Sequence, residues 1–244
     1  MEHKPTPSGL ADSLLSELRA HANPDNVAGM ARFGITTTGT LGVGMSDVRT
    51  LARDAKHALR ADPAARHELA ALLWRSGVHE ARIMATLVDV ATLVDEAQME
   101  SWVADLDSWD VCDTLCNNLF RLAAPAWEKA AQWAGREPEY IKRAGFVLGA
   151  TLAVHDKAAS DERFASVLSR VEREATDERN AVKKGANWAL RQVGKRSASL
   201  NALAIASAER ILAENPASPS ARWIARDALR ELRGEPVRKR LGLT

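Results

Sequence analysis

Apolar residues recur every three or four positions along nearly the whole chain, alanine and leucine dominate, and β-branched runs are scarce. That spacing puts apolar side chains on one stripe of a 3.6-residue helix, so it predicts helices throughout and no strand. Stretches carrying Pro, Gly, Asp or Ser beside a plausible cap interrupt the pattern, among them "ANPDN", "GTLGVGMSD", "ADPAA", "DLDSWD", "LAAPAW", "GREPEY", "ATDERN" and "NPASPS". About a dozen helices of roughly 8 to 17 residues are left between the breaks.

Two segments repeat each other at long range. "IKRAG" at Ile141 and "VKKGA" at Val182 share an apolar, basic, basic, small, small order and begin 41 residues apart, and "ARWIA" at Ala221 is a weaker echo 39 further on. A period near 40 suits the HEAT and armadillo class, in which helix pairs stack into a solenoid. The expectation is an all-α, right-handed α-solenoid of HEAT-like helical repeats with a concave basic groove, a single domain over residues 1–244. The 46% of hydrophobic residues suffices for its core.

No run approaches a membrane span, and the opening "MEHKPTPSGLADSLLSEL" has no apolar signal core, so a cytoplasmic protein is expected. Cys112 and Cys116 lack a second Cys/His pair and are read as reduced core thiols rather than zinc ligands. Charge is divided unevenly: residues 1–120 hold 10 Lys+Arg against 17 Asp+Glu, whereas residues 121–244 hold 23 against 15. The later half suits a polyanion, unless its charges only solvate helix faces.

In the helix around Trp188, at ~100° per residue, Lys184, Trp188, Arg191 and Lys195 fall at roughly 0°, 40°, −20° and 20°, while Val182, Ala186, Ala189 and Val193 cluster near 180°. Trp188 is thereby expected among cations, opposite the core, as suits a nucleic-acid backbone or an exposed sugar. "YIKRAGFVLGATLAV" is apolar almost all round, yet Lys142 and Arg143 stand in its first turns, where the helix dipole disfavours cations. Either an external phosphate or an internal salt bridge from Arg143 would resolve this.

"DSWDVCDTLCNN" carries three aspartates. Asp107 or Ser108 can cap a helix starting near Trp109, and Asp110 favours its dipole or completes a box with Asp107. Asp113 lies beyond that help, at the border of the apolar arc and one turn after Trp109; it is either held by a polar partner in the next repeat or available for chemistry.

Other features are assigned structural roles. "GVG" at Gly42 is a turn before a Ser46 cap; His79 and His155 have no partner at ligand spacing and are read as satisfying loops or core contacts; Trp74, Trp102, Trp127, Trp133 and Trp223 pack between helices; Arg222, Arg226, Arg230 and Arg233 are a solvated face or an extension of the basic surface. No P-loop, HExxH, CxxC or Ser/His/Asp pattern occurs.

The runs "SWDVCD", "IKRAG" and "VKKGANWALRQVGK", with the early "MARFGI" and "LGVGMSDVR", resemble the AlkD-type DNA glycosylases of the DNA alkylation repair family over roughly Met30 to Arg233. The resemblance implies a solenoid of HEAT-like repeats that binds double-stranded DNA containing alkylated bases, acts as a monomer without metal or cofactor, and excises cationic bases such as N3-methyladenine and N7-methylguanine. By motif, the catalytic aspartate falls on Asp113, the active-site tryptophans on Trp109 and Trp188, and the DNA-contacting arginine on Arg143. Lys142, Lys184, Arg191 and Lys195 are the further expected DNA contacts. The chain departs from well-studied members at Ser108, where they carry another tryptophan. An open cleft, rather than a deep pocket, would admit bulky adducts as well.

Overall fold

The computed structural model describes residues 6–243; the first five residues of the opening stretch, on which the reading of an absent signal partly rests, lie outside the described residues. The described residues form helices and connecting turns, with no strand. None of the helices is long and apolar enough to cross a membrane.

Two compact units divide the chain after Ala124. The first holds α1 (Pro7–Ala20), α2 (Pro24–Ala31), α3 (Met45–Ala58), α4 (Pro63–Arg75), α5 (His79–Val88), α6 (Glu96–Ala104) and α7 (Trp109–Asn118). The second holds α8 (Ala126–Trp133), α9 (Glu139–His155), α10 (Asp161–Glu174), α11 (Asn180–Gly194), α12 (Ala198–Glu214), α13 (Pro219–Leu232) and α14 (Glu235–Leu241). The starts follow local chemistry. Thr6, Asn23, Asp62 and Ser218 each accept a hydrogen bond from a first-turn amide, and each is followed by a proline whose missing N–H costs nothing there.

One break is absent from the sequence pattern, between α5 and α6. Asp89 leaves the helix with φ −60° and ψ 165°, and a single 3₁₀ turn, Ala91–Leu93, follows. The surrounding "VDVATLVDE" has neither Gly nor Pro. Here the chain turns because the buried Asp89 carboxylate is held by His67 Nδ1 at 2.7 Å and by Gln98 Nε2 at 2.7 Å, both tertiary contacts.

In the second unit the expected period is present. Helices α9, α11 and α13 begin at 139, 180 and 219, and side chains tie each to the next at similar spacing: Arg143 donates to the Ala181 carbonyl, and Asn187 to that of Ile224. Helices α8, α10 and α12 alternate with them, so α11 is packed by α9, α10, α12 and α13. Phe146, Phe164, Val171, Leu190, Leu200 and Ile224 lie in this core. At Gly145 a Cβ would meet Ala134 N at 2.2 Å, so only glycine admits the close approach of α9 to the end of α8. In the first unit, Trp74 and Trp102 stack face to face at 4.2 Å, with Trp74 Nε1 donating to Asp105. That burial answers the packing role expected of these two.

Candidate functional site

Helix α7 starts on Ser108, whose backbone is extended but whose hydroxyl caps no amide. Instead the buried Ser108 Oγ donates to Asp110 Oδ1 at 2.5 Å, and Asp110 Oδ2 lies 2.8 Å from His79 Nε2 at the first position of α5. Asp107 takes no part in a capping box; it is 3.8 Å from Arg82 Nη1. Burial alone would raise the Asp110 carboxyl above the ordinary aspartate range, but the bond and charge of His79, the Ser108 hydroxyl and the Val111 amide together hold it below. His79, expected to satisfy a loop or core contact, does so and fixes the entry of α7. A spacing of 31 separates both His79 from Asp110 and Trp74 from Asp105, a short register of this unit that no shared residue pattern announces.

The same end of α5 gathers a loop. The buried Glu80 carboxylate accepts the amides of Leu41, Gly42 and Val43 at 2.6 to 3.1 Å, and His79 N donates to the Gly39 carbonyl. Gly42 has φ +77°, and a Cβ there would meet Asn23 O at 2.2 Å, which bears out the turn expected at "GVG". The cap that follows is Gly44 rather than Ser46, because α3 already starts at Met45.

On α7 the Trp109 indole is half-buried, and its Nε1 donates to the Phe33 carbonyl at 3.0 Å. Phe33, in the turn after α2, is 74% exposed. Asp113 follows one turn after Trp109 and is also half-buried, between the fully buried Cys112 and Thr114, whose hydroxyl returns to the Asp110 carbonyl. The carboxylate thus stands at the edge of the core beside an indole whose rotation is restrained. Neither Cys112 nor Cys116 is in a disulfide, and both are buried as expected. Among the described residues no three His, Cys, Asp or Glu side chains group to hold a metal ion.

In the second unit four of the five cations expected to contact DNA have internal partners. Lys142 is buried, and its Nζ meets Glu174 Oε2 at 2.6 Å and Asp177 Oδ2 at 3.4 Å. Burial would lower this ammonium's affinity for its proton, yet the two carboxylates raise it above the ordinary lysine value. The anion that relieves the dipole conflict of Lys142 is therefore internal. Arg143 is buried too, its Nη1 donating 2.7 Å to the Ala181 carbonyl and its stem lying against Gly185.

Arg191 donates to Asp227 at 3.0 Å and forms an ion pair with Glu231 at 2.8 Å, and Lys195 reaches Glu231 at 2.6 Å, so two of the cations expected on one face of α11 are matched by α13. Lys184 is exposed, with no ion pair among the described residues. Trp188 is half-buried against the core, a correction to its expected place opposite it. The reason is the packing of α11 by neighbours on several sides, which leaves no wholly free face. Trp223, expected between helices, is 41% exposed, with Lys183 Nζ 5.6 Å from its ring centre. Of the residues singled out in the sequence, Trp109 and Asp113 belong to the first unit and Lys142, Arg143, Lys184, Trp188, Arg191 and Lys195 to the second.

The family described as DNA alkylation repair enzyme matches residues 14–232. A solved structure, described as a new family of proteins related to the HEAT-like repeat DNA glycosylases with affinity for branched DNA structures, is similar with a TM-score of 0.69 and 18% identity, covering 82% of this chain and 82% of that chain. Among curated proteins nothing matches.

Proposed function

The chain belongs to the DNA alkylation repair enzyme family, and from that premise we propose that it hydrolyses the N-glycosidic bond of cationic alkylated purines, such as N3-methyladenine and N7-methylguanine, in duplex DNA. The observation that carries this reading is the half-buried Asp113 carboxylate one helical turn beyond the restrained indole of Trp109. An alkylated purine is already positive, so when its bond to C1′ breaks, the electron pair leaves with the base and neutralises it. No general acid is needed. Positive charge develops on the deoxyribose instead, and a carboxylate at the edge of the core, where water screens poorly, stabilises that charge. The Trp109 face adds a cation–π contribution. Water then adds to C1′, with Asp113 orienting it or accepting its proton.

Lys184 is proposed as a direct phosphate contact because it is exposed and makes no ion pair among the described residues. Arg143, Lys142, Arg191 and Lys195, held by internal partners, are proposed to contribute positive potential along the bound strand rather than freely mobile contacts.

Release of free base from a duplex containing N7-methylguanine tests the reading. Wild-type protein should release it, and Asp113→Asn should slow single-turnover release by ~10²–10³. Equal release by both would remove Asp113 from the mechanism. A second reading, binding of branched DNA without excision, is favoured by the description of the similar structure. It predicts tighter binding to a four-way junction than to linear duplex, and no free base from either.

A further inference from the structure

The three echoing segments place Arg143, Lys184 and Trp223 at the same step of the repeat, each the fifth residue of its helix, α9, α11 and α13. The first is buried under the next helix, the second is exposed, and the third is an exposed indole. Exposure of a tryptophan forfeits the burial that ordinarily justifies its size. The usual explanation, packing between repeats, fails at this position because Ala221, Ile224, Ala225 and Ala228 supply the core contacts of α13.

Around Trp223 the charges differ from those further along the same helices. Toward the C-terminal ends of α11 and α13, Asp227 is taken by Arg191 and Arg230, and Glu231 by Arg191 and Lys195. Near the start, Lys183 lies over the Trp223 ring, Lys184 follows it, and Arg226 stands one turn after Trp223. None of these three cations makes an ion pair among the described residues. Beyond Arg226 an open depression of ≈ 400 Å³ is bordered by Leu229, Arg230, Arg233 and Gly234. Uncompensated cations beside an exposed π face complement a chain of phosphates joined by sugars, and they fit poorly with an apolar or cationic protein surface.

We propose that Trp223, with Lys183 and Arg226, forms a lesion-independent contact with the sugar–phosphate backbone of duplex DNA. The proposal rests on the reading of this protein as one that binds duplex DNA, and it assigns part of that affinity to residues outside the Asp113 chemistry. Lys183 and Arg226 pair phosphates, while the indole covers a deoxyribose.

Fluorescence anisotropy with an end-labelled, undamaged duplex tests it, using the full chain. Trp223→Ala should weaken binding ~5–10-fold, and Trp223→Phe should restore most of the loss because a π face remains. Arg226→Ala should reduce the slope of log K against log salt by about 1. The thermal midpoint of each variant, expected to stay at the wild-type value, separates lost contact from lost fold. Wild-type affinity and slope in both Trp223→Ala and Arg226→Ala would overturn the proposal while leaving base excision standing. Duplex binding that depends on Trp223, in a wild type that releases no base, would support it and reject excision. A wild type that binds no duplex rejects both.

Discussion

The two units solve the problem of burying polar groups in opposite ways. In the first, side chains hold irregular loops and helix entries: Glu80 takes three successive amides, His79 and Ser108 hold the Asp110 carboxylate, and Trp109 holds the Phe33 carbonyl. Four of its glycines, at 34, 39, 42 and 77, have positive φ. In the second, helices of 14 to 17 residues, α9 to α13, are joined by side-chain bonds between consecutive repeats, many of them ion pairs. Within its described residues positive φ occurs only at Gly242, near the end. The contrast is instructive. A regular stack neutralises many of its own cations through its own period, whereas irregular loops can hold an indole beside a carboxylate at the edge of a core. In the proposed function the Asp113 chemistry falls in the acidic, irregular unit, and charge-based binding in the basic, regular one.

The largest expected effect is in the loop capture. Glu80→Ala leaves the amides of Leu41, Gly42 and Val43 without their acceptor and should cost ~3–5 kcal/mol in urea unfolding. A loss under ~1 kcal/mol would break the claim that the first unit depends on this carboxylate. In the second unit, Gly145→Ala drives a methyl against the Ala134 backbone, and a loss of ~2–3 kcal/mol in the same measurement is expected.

Asp110→Asn should cost ~1–2 kcal/mol at neutral pH. Because the folded carboxyl is held below its unfolded value, its contribution is complete above the unfolded pKa and is lost as pH falls through the lower, folded one. The gap in thermal midpoint between wild type and variant should therefore close below about pH 4; a gap that widens there would assign the stabilisation elsewhere.

The smallest effect sharpens the comparison most. Lys195→Ala leaves Glu231 paired with Arg191 and should change undamaged-duplex affinity less than ~2-fold, whereas Lys184→Ala should weaken it ~3-fold or more and flatten the salt dependence. The reverse order would mean that the ion-pair ladder opens when DNA binds.

Helical periodicity, the proline and aspartate caps and the 41- and 39-residue spacing of α9, α11 and α13 were legible in the sequence because each is local, or repeats a local signal. So were the turn at Gly42 and the buried thiols. The break after Val88 was hidden, since the residues that end α5 are His67 and Gln98, brought to Asp89 by folding. Pairing of His79 with Asp110 was hidden in the same way, across 31 residues. Trp188 shows the limit of a helical wheel: it identifies the more apolar side of α11, but it cannot count how many helices will pack around it. What the sequence alone determined is the helical repeat, the division of charge and the position of Asp113 one turn after Trp109, because covalent spacing sets all three. Which cations keep their charge available, which indoles are half-buried and which loop a carboxylate holds were decided by tertiary structure, since a charge or a polar group takes its energy from whatever folding places beside it.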